Sequence, residues 1–385
     1  MRDGSPEETR ASVRLSEIAV VFLRLGATAF GGPAAHVAMM EREIVGRRRW
    51  VPLEKFLDLL GAASLIPGPS SSELAIYLGY ERGGALGLLV AGVSFILPAA
   101  LITGAIAWGY VSFGTLPAVA GALYGVKPVV IAIVVQAVWS LGHAAIKSWI
   151  LALIAILAFG ASLLGVAFLP VLVAAGLVSL AAQGLSGQEG PRGHGAVVLA
   201  SGSALAATST SFTLTKLFLL FLKVGAIVFG SGYVLLAFLR ADLVDRLHWL
   251  SEAQLLDAVA VGQMTPGPVF TTATFIGYLL AGRTGATVAT IGIFLPGFVF
   301  VAASRSLLAR ARRSAAVGTF LDGVNVSSLA LMAAVTLHLG RAALVDPETV
   351  LLACASGVAL VFFRVNPTWL IAVGLLAGIA ARGSL

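Results

Sequence analysis

Charge is what this chain has least of. Only 11% of its 385 residues are Asp, Glu, Lys or Arg, while 58% are hydrophobic. A soluble globular domain carries about 25% charged residues, so a soluble fold could not hide this much apolar surface. Cysteine is nearly absent too. The single Cys354 sits in an apolar run, which leaves no disulfide framework and no Cys/His metal spacing. No Walker-type glycine loop, no H-E-x-x-H and no G-x-S-x-G occurs, so nucleotide hydrolysis and the common hydrolase arrangements lack their parts. Neither an enzyme, nor a metal, nor a cofactor is expected. The N-terminus, "MRDGSPEETRASVRLSE", is polar and lacks the short apolar core of a removable signal peptide.

What the chain has instead is long apolar runs. "ALGLLVAGVSFILPAALITGAIAWGYV" (85–111) exceeds the roughly 20 residues that span a bilayer. The fold class this implies is an all-α polytopic membrane protein, with the lipid bilayer as its surroundings. The 44 glycines suit close approach between membrane helices. The net charge of +7 is concentrated in "GRRRW" (46–50) and "SRSLLARARRS" (304–314). Such clusters mark cytoplasmic loops of a membrane protein, and no nucleic-acid partner is expected.

The chain repeats itself. "FLRLGATAFGG" (22–32) matches "FLKVGAIVFGS" (221–231) at an offset of 199. Trp50 then meets Trp249, Asp58 meets Asp257, and Pro67-Gly68-Pro69 meets Pro266-Gly267-Pro268. After one deletion the offset is 198, and Gly79-Tyr80, Gly87, Leu97-Pro98 and Gly125-Val126 find identical partners. The expected division is one repeat over 1–184, a polar Gly/Ser-rich linker over 185–212 and a second repeat over 213–385. In each half a first apolar segment runs into a glycine-rich break and a charged stretch ending at the tryptophan, an interfacial anchor. Two short apolar pieces flank Pro-Gly-Pro, each too short to cross alone. Four longer segments follow, near 84–109, 117–141, 149–164 and 166–183 and their counterparts.

Five crossings per half, about ten in all, would place the second half upside down relative to the first. The charges agree. The loop after the first segment carries Arg42, Arg47, Arg48, Arg49 and Lys55 in half one but only Arg240 and Arg246 in half two, offset by Asp242 and Asp245. The loop at 110–116 is uncharged, whereas its partner carries Arg305, Arg310, Arg312 and Arg313. A basic loop that changes position between repeats is what inverted-topology repeats require.

Helix breaks at membrane depth are tolerated only beside protein or a water-filled cavity. Pro69, Pro268 and Pro33 read as first residues of half-helices, and each such N-terminus offers free N–H groups and a positive dipole end to an anion. The breaks supply Gly31, Gly32, Pro33, Pro67, Gly68, Pro69, Gly230, Gly232, Pro266, Gly267 and Pro268, followed by the hydroxyls of Ser70, Ser71, Ser72, Thr271 and Thr272. Arg24 and Lys223 each lie seven residues before a break, on its face of the helix; Lys127, aligned with Asn325, is a third embedded cation. A cation at mid-helix costs roughly 2.5–3.5 kcal/mol, so an oxyanion substrate would account for them; the alternative is that Arg24 and Lys223 snorkel to the interface. Asp58, Asp257, Glu73 and His36 are the proton-coupling candidates, set against the plainer roles of helix capping, dipole compensation or packing.

The stretches "FGGPAAHVAMMEREIVGRRRWVPLEKFLDLLGAASLIPGP" and "FGSGYVLLAFLRADLVDRLHWLSEAQLLDAVAVGQMTPGPVFTTATFIGYLLAG" resemble the two signature regions of the chromate ion transporter family, in its long-chain form built from two homologous halves. The resemblance covers essentially the whole chain. It implies chromate efflux across the bacterial inner membrane, with the motif regions forming the path. The family pattern commonly places asparagine after the first Pro-Gly-Pro, where this chain has Ser70. Sulfate, a tetrahedral dianion of similar size, stays open as substrate, as do a passive anion channel and assembly as a homodimer.

Overall fold

The structure, a computed structural model, describes residues 6–30, 32–114, 116–185, 212–228, 234–311 and 315–382. The expected linker lies outside these residues except at its ends, as do Gly31, Gly230, Gly232, Arg312 and Arg313. Every described element is helical. The first set is α1 (Pro6–Thr28), α2 (Gly32–Met40), a π-helical stretch (Glu41–Arg47), α3 (Leu53–Ala63) and α4 (Ser70–Phe113). It continues through α5 (Pro117–Ala145), α6 (Trp149–Leu163) and α7 (Phe168–Leu185). The second set repeats the order with α8 (Leu214–Ile227), α9 (Leu235–Leu239), a π-helical stretch (Arg240–Arg246) and α10 (Glu252–Met264). A 3₁₀ turn (Val269–Thr271), α11 (Thr272–Ala311), α12 (Ala315–Ala343), α13 (Pro347–Val361) and α14 (Pro367–Arg382) complete it. Local chemistry sets several starts. Side chains of Ser148, Thr213, Ser251 and Asp346 accept from backbone N–H groups at the head of α6, α8, α10 and α13, which satisfies donors the helix itself cannot.

Among the described residues, four stretches are long and apolar enough to cross a membrane: Ser70–Phe113, Val119–Ala145, Val269–Ala303 and Ala316–Ala343. α6, α7, α13 and α14 are apolar but shorter, so length alone does not carry a count of ten crossings. Large apolar side chains such as Leu101, Trp149, Leu351 and Phe362 stand exposed on the outside, a surface suited to lipid rather than water.

α4 is a helical hairpin, not one rod. At Gly84 φ is +63°, a left-handed value that favours glycine. Beyond it Gly87 lies against Gly79, and Gly92 against Ile76, so the chain has reversed. α11 does the same at Gly282, where φ is +59°, with Gly285 against Gly277. A Cβ on any of these paired glycines would run into the facing carbonyl. The two short apolar pieces of each half are therefore α3 with the short arm of α4, and α10 with the short arm of α11. Pro-Gly-Pro joins them.

The helices sort into two bundles. In one, α1 packs on α4, α8 on α11, and α4 on α11. In the other, α14 and α13 pack on α5, α7 and α6 on α12, and α5 on α12. Each half gives helices to both bundles, so the halves interlock. Gly92 of the long arm of α4 lies against Phe298 of the long arm of α11, and Gly104 lies against Thr274, which is hydrogen-bonded to Thr290 of that same long arm, so these two equivalent arms run in opposite directions.

Candidate functional site

Each Pro-Gly-Pro loop is fastened to the opposite half. The Gly68 N–H donates to the Val228 carbonyl at 2.7 Å, and the Gly267 N–H donates to the Ala29 carbonyl at 2.8 Å. These are the same bond made twice, because Gly68 aligns with Gly267 and Ala29 with Val228. Both glycines have positive φ, +132° and +87°. A Cβ on Gly267 would meet Ala99 and the Gly26 carbonyl, whereas one on Gly68 would meet only the tip of Glu73. The glycine N–H groups, expected to face an anion, are thus spent on joining the halves. Pro69 and Pro268 are caps rather than first helical residues. Ser72 N–H bonds the Pro69 carbonyl and Thr271 N–H the Pro268 carbonyl. That leaves the N–H groups of Ser70, Ser71, Val269 and Phe270 outside the helical ladder.

Hydrogen bonds run from one loop to the other. His36 is buried, with Nε2 3.0 Å from the Ala29 carbonyl and Nδ1 3.2 Å from the Ser71 hydroxyl. A carbonyl only accepts, so Nε2 carries the proton and Nδ1 of the neutral ring accepts from Ser71. The Ala29 carbonyl also takes the Gly267 N–H. One chain of contacts therefore joins Ser71, His36, Ala29 and Gly267, and it consumes the Ser71 proton. Ser70, half-buried, keeps its hydroxyl for other work. Next to it Glu73 is buried against Gly68 and Gly297, and neither its Oε2 nor the Ser72 hydroxyl has a partner among the described residues. On the other side the Thr103 hydroxyl lies between those of Thr265 and Thr271 at 3.4 and 3.3 Å. Thr271 and Thr272 donate back to the carbonyls of Pro268 and Val269.

The three embedded cations do not converge. Arg24 is exposed on a cavity of about 270 Å³ shared with Arg42, Glu43 and Arg48. Lys223 opens on a separate cavity of about 550 Å³ with Arg240, Arg246 and His338, and pairs with Asp242. Both lie beside the π-helical stretch that follows the break; the breaks they were expected to face, at Gly31 and Gly230, lie outside the described residues. A pattern in the sequence marks this: a basic residue followed 19 positions later by an acidic one, Arg24 with Glu43 and Lys223 with Asp242, recurs in both halves. Glu43 itself is claimed by Arg48 at 2.7 Å, and that hydrogen bond holds its carboxyl below the usual range.

Lys127 pairs with a carboxylate of the other half. Its Nζ lies 3.0 Å from Asp257 Oδ1, in an ion pair without an aligned hydrogen bond. The Tyr110 hydroxyl donates to the other oxygen of Asp257 at 2.9 Å. Asp257 stands on α10, one short helix ahead of the second Pro-Gly-Pro. Sequence reasoning did not find Tyr110, because its aligned position is Leu308 and the repeat gives no hint of it. Asp58, the counterpart of Asp257, is exposed, and Asn325, the counterpart of Lys127, is half-buried. Trp50 lies under Arg48 and Arg82, with guanidinium carbons 5.7 and 5.2 Å from its ring centre, a packing role.

A family model described as "Chromate transporter" matches residues 16–180 and again 215–379. The chain is 33% identical over 381 residues to a chromate transport protein of Cupriavidus metallidurans, covering 97% of this chain and 94% of that one. Against a chromate transport protein of Pseudomonas aeruginosa it is 33% identical over 98% of this chain and 94% of the relative. With a probable chromate transport protein of Synechococcus elongatus it shares 33% over 88% of each. No solved structure matches the chain.

Proposed function

The chain belongs to the chromate transporter family, and from that premise we propose that it carries chromate out of the cell through the inner membrane as a secondary transporter. The observation that carries this reading is identity to chromate transport proteins along nearly the whole chain, both repeats included. Export needs no nucleotide. Moving a dianion out of a negative interior gains about 2.3 kcal/mol per charge for each 100 mV.

The membrane arrangement proposed is two inverted repeats, 1–184 and 213–385, around the linker 185–212, with about ten crossings. The opposite run of the equivalent helices α4 and α11 supports it, as does the reciprocal bond between each Pro-Gly-Pro loop and the other half. The anion is proposed to sit where the two loops meet. The free N–H groups of Ser70, Ser71, Val269 and Phe270 would hold it, with the Ser70 hydroxyl and the Lys127 ammonium; backbone N–H groups at helix starts suit an oxyanion. Arg24 and Lys223 would draw anions into the two outer cavities. Glu73, buried beside the first loop, is the carboxyl through which protons could be coupled to the cycle.

Everted membrane vesicles from cells making the protein test this. They are expected to accumulate labelled chromate saturably under an imposed interior-positive potential, with sulfate as a weaker competitor. Equal competition by sulfate would make the chain a general oxyanion carrier. A linear, unsaturable flux would make it a channel, and no flux with inserted protein would end the proposal.

A further inference from the structure

The two bundles touch unequally. Among the described residues, close packing between them comes from α9 and α10, which lie on α5, α12 and α14. Among the described residues α2 and α3, the equivalents from the first half, pack closely against α1, α4 and the π-helical stretch of their own bundle. Burial of matched residues says the same. Leu256 of α10 is 1% exposed, whereas the identical Leu57 of α3 is 53% exposed. Asp257 is buried and Asp58 exposed. On the receiving side, Leu339 of α12 is fully buried while its match, Leu141 of α5, is half-exposed.

An apolar face that is buried in one repeat and bare in the other is complementary to a surface the molecule already owns. α5 and α12 are equivalents, so the end of the pair that receives α10 has a matched end that could receive α3. The difference lies at one position. Where α10 docks, it brings Asp257 to Lys127; where α3 would dock, it would bring Asp58 to Asn325, which carries no charge. When α10 leaves, Lys127 loses its carboxylate and stands charged in a mostly buried place, with its side chain 21% exposed. A buried charge stripped of its partner is costly, and an arriving dianion removes that cost.

We propose that the protein exchanges α10 for α3 as the element joining its two bundles, and that Lys127 is a substrate cation covered by Asp257 in one arrangement and open in the other. Asp257 then acts as a resident anion that the substrate must replace. Because Asn325 breaks the repeat's symmetry, tight anion binding belongs to one arrangement only, and a cycle between unequal affinities favours release on one side. This rests on the reading of the chain as an oxyanion transporter.

Two cysteine pairs test it in a Cys354→Ser background, which is free of other cysteines. Val134 and Val259 line one cavity of about 10 Å³ between α5 and α10, so Val134→Cys/Val259→Cys should cross-link in the arrangement described. The matched pair, Met332→Cys/Leu60→Cys, should cross-link only in the exchanged arrangement. Both products are expected in membranes without substrate, and chromate should raise the second severalfold at the expense of the first. Adding Lys127→Asn leaves Asp257 buried without its cation, so it should favour the second product from the start, and chromate should shift the ratio no further. Failure of the Met332/Leu60 pair to link in protein whose Val134/Val259 pair links would overturn the exchange. A chromate shift that survives Lys127→Asn would overturn the role of Lys127. If both pairs link but neither chromate nor sulfate shifts them, the exchange stands and the oxyanion reading falls.

Discussion

The short helices after the first break align between the halves and share Leu57/Leu256 and Asp58/Asp257, yet they differ in setting. α1 and α8 sit alike, each on its own hairpin, but α9 and α10 lie between the two bundles, whereas α2 and α3 pack against α1 and α4 with α3 turned outward. The same leucine, 57 or 256, is bare in one and covered in the other. Two copies of one design therefore need not rest in one state. What the difference teaches is that the repeat encodes two places to dock, and a single arrangement fills one of them.

The largest break in that comparison should come from the paired aspartates. Asp257→Asn leaves Lys127 without its carboxylate, and breaking a buried pair costs about 3 kcal/mol, whereas Asp58→Asn on the exposed equivalent should change stability by less than about 0.5 kcal/mol. Thermal unfolding of the two variants in detergent reads the gap. Equal losses would mean α3 and α10 are equally engaged. The loop glycines come next. Gly267→Ala forces a side chain into left-handed backbone against Ala99 and the Gly26 carbonyl, for a loss of about 2 kcal/mol. Gly68→Ala meets only the movable tip of Glu73, so the same melting curves should show a smaller loss.

Ser70→Ala should raise the KM for chromate roughly tenfold in vesicles, about the worth of one hydrogen bond to a charged group. Its aligned partner is Val269, which has no hydroxyl, so Val269→Ala should leave KM alone. The smallest effect is at Glu43, whose carboxyl the Arg48 hydrogen bond holds below its ordinary value. A depressed folded-state value adds stability above the unfolded carboxylate range and loses it as pH falls through the folded value. Glu43→Gln should flatten the acid limb of a stability–pH curve.

Much of the fold was legible. The helices later assigned as α5, α6, α7, α12, α13 and α14 begin and end within a few residues of the apolar segments, because capping residues and prolines punctuate them. Both Pro-Gly-Pro loops fall where the broken pattern put them. Two things were out of reach. Helical spacing gives Arg24 and Lys223 a direction but not which neighbour meets them; carboxylates 19 residues on answer Lys223 directly and stand beside Arg24. The unequal docking left no trace at all, because Leu57 and Leu256 are the same residue and Asp58 and Asp257 are too. Identical side chains acquire different burial only through where the two bundles meet. Of the site, the sequence held Lys127 and Asp257 as separate candidates, and only the fold placed them 3.0 Å apart.

The account stands or falls on whether the two copies trade places. Hydrogen–deuterium exchange on the unmodified protein in nanodiscs reads this directly, comparing peptides of α3 (residues 53–63) with those of α10 (residues 252–264). Without substrate α3 should exchange faster than α10, and chromate should close the gap, slowing α3 while loosening α10. Equal protection of the two helices, unchanged by chromate, would contradict it.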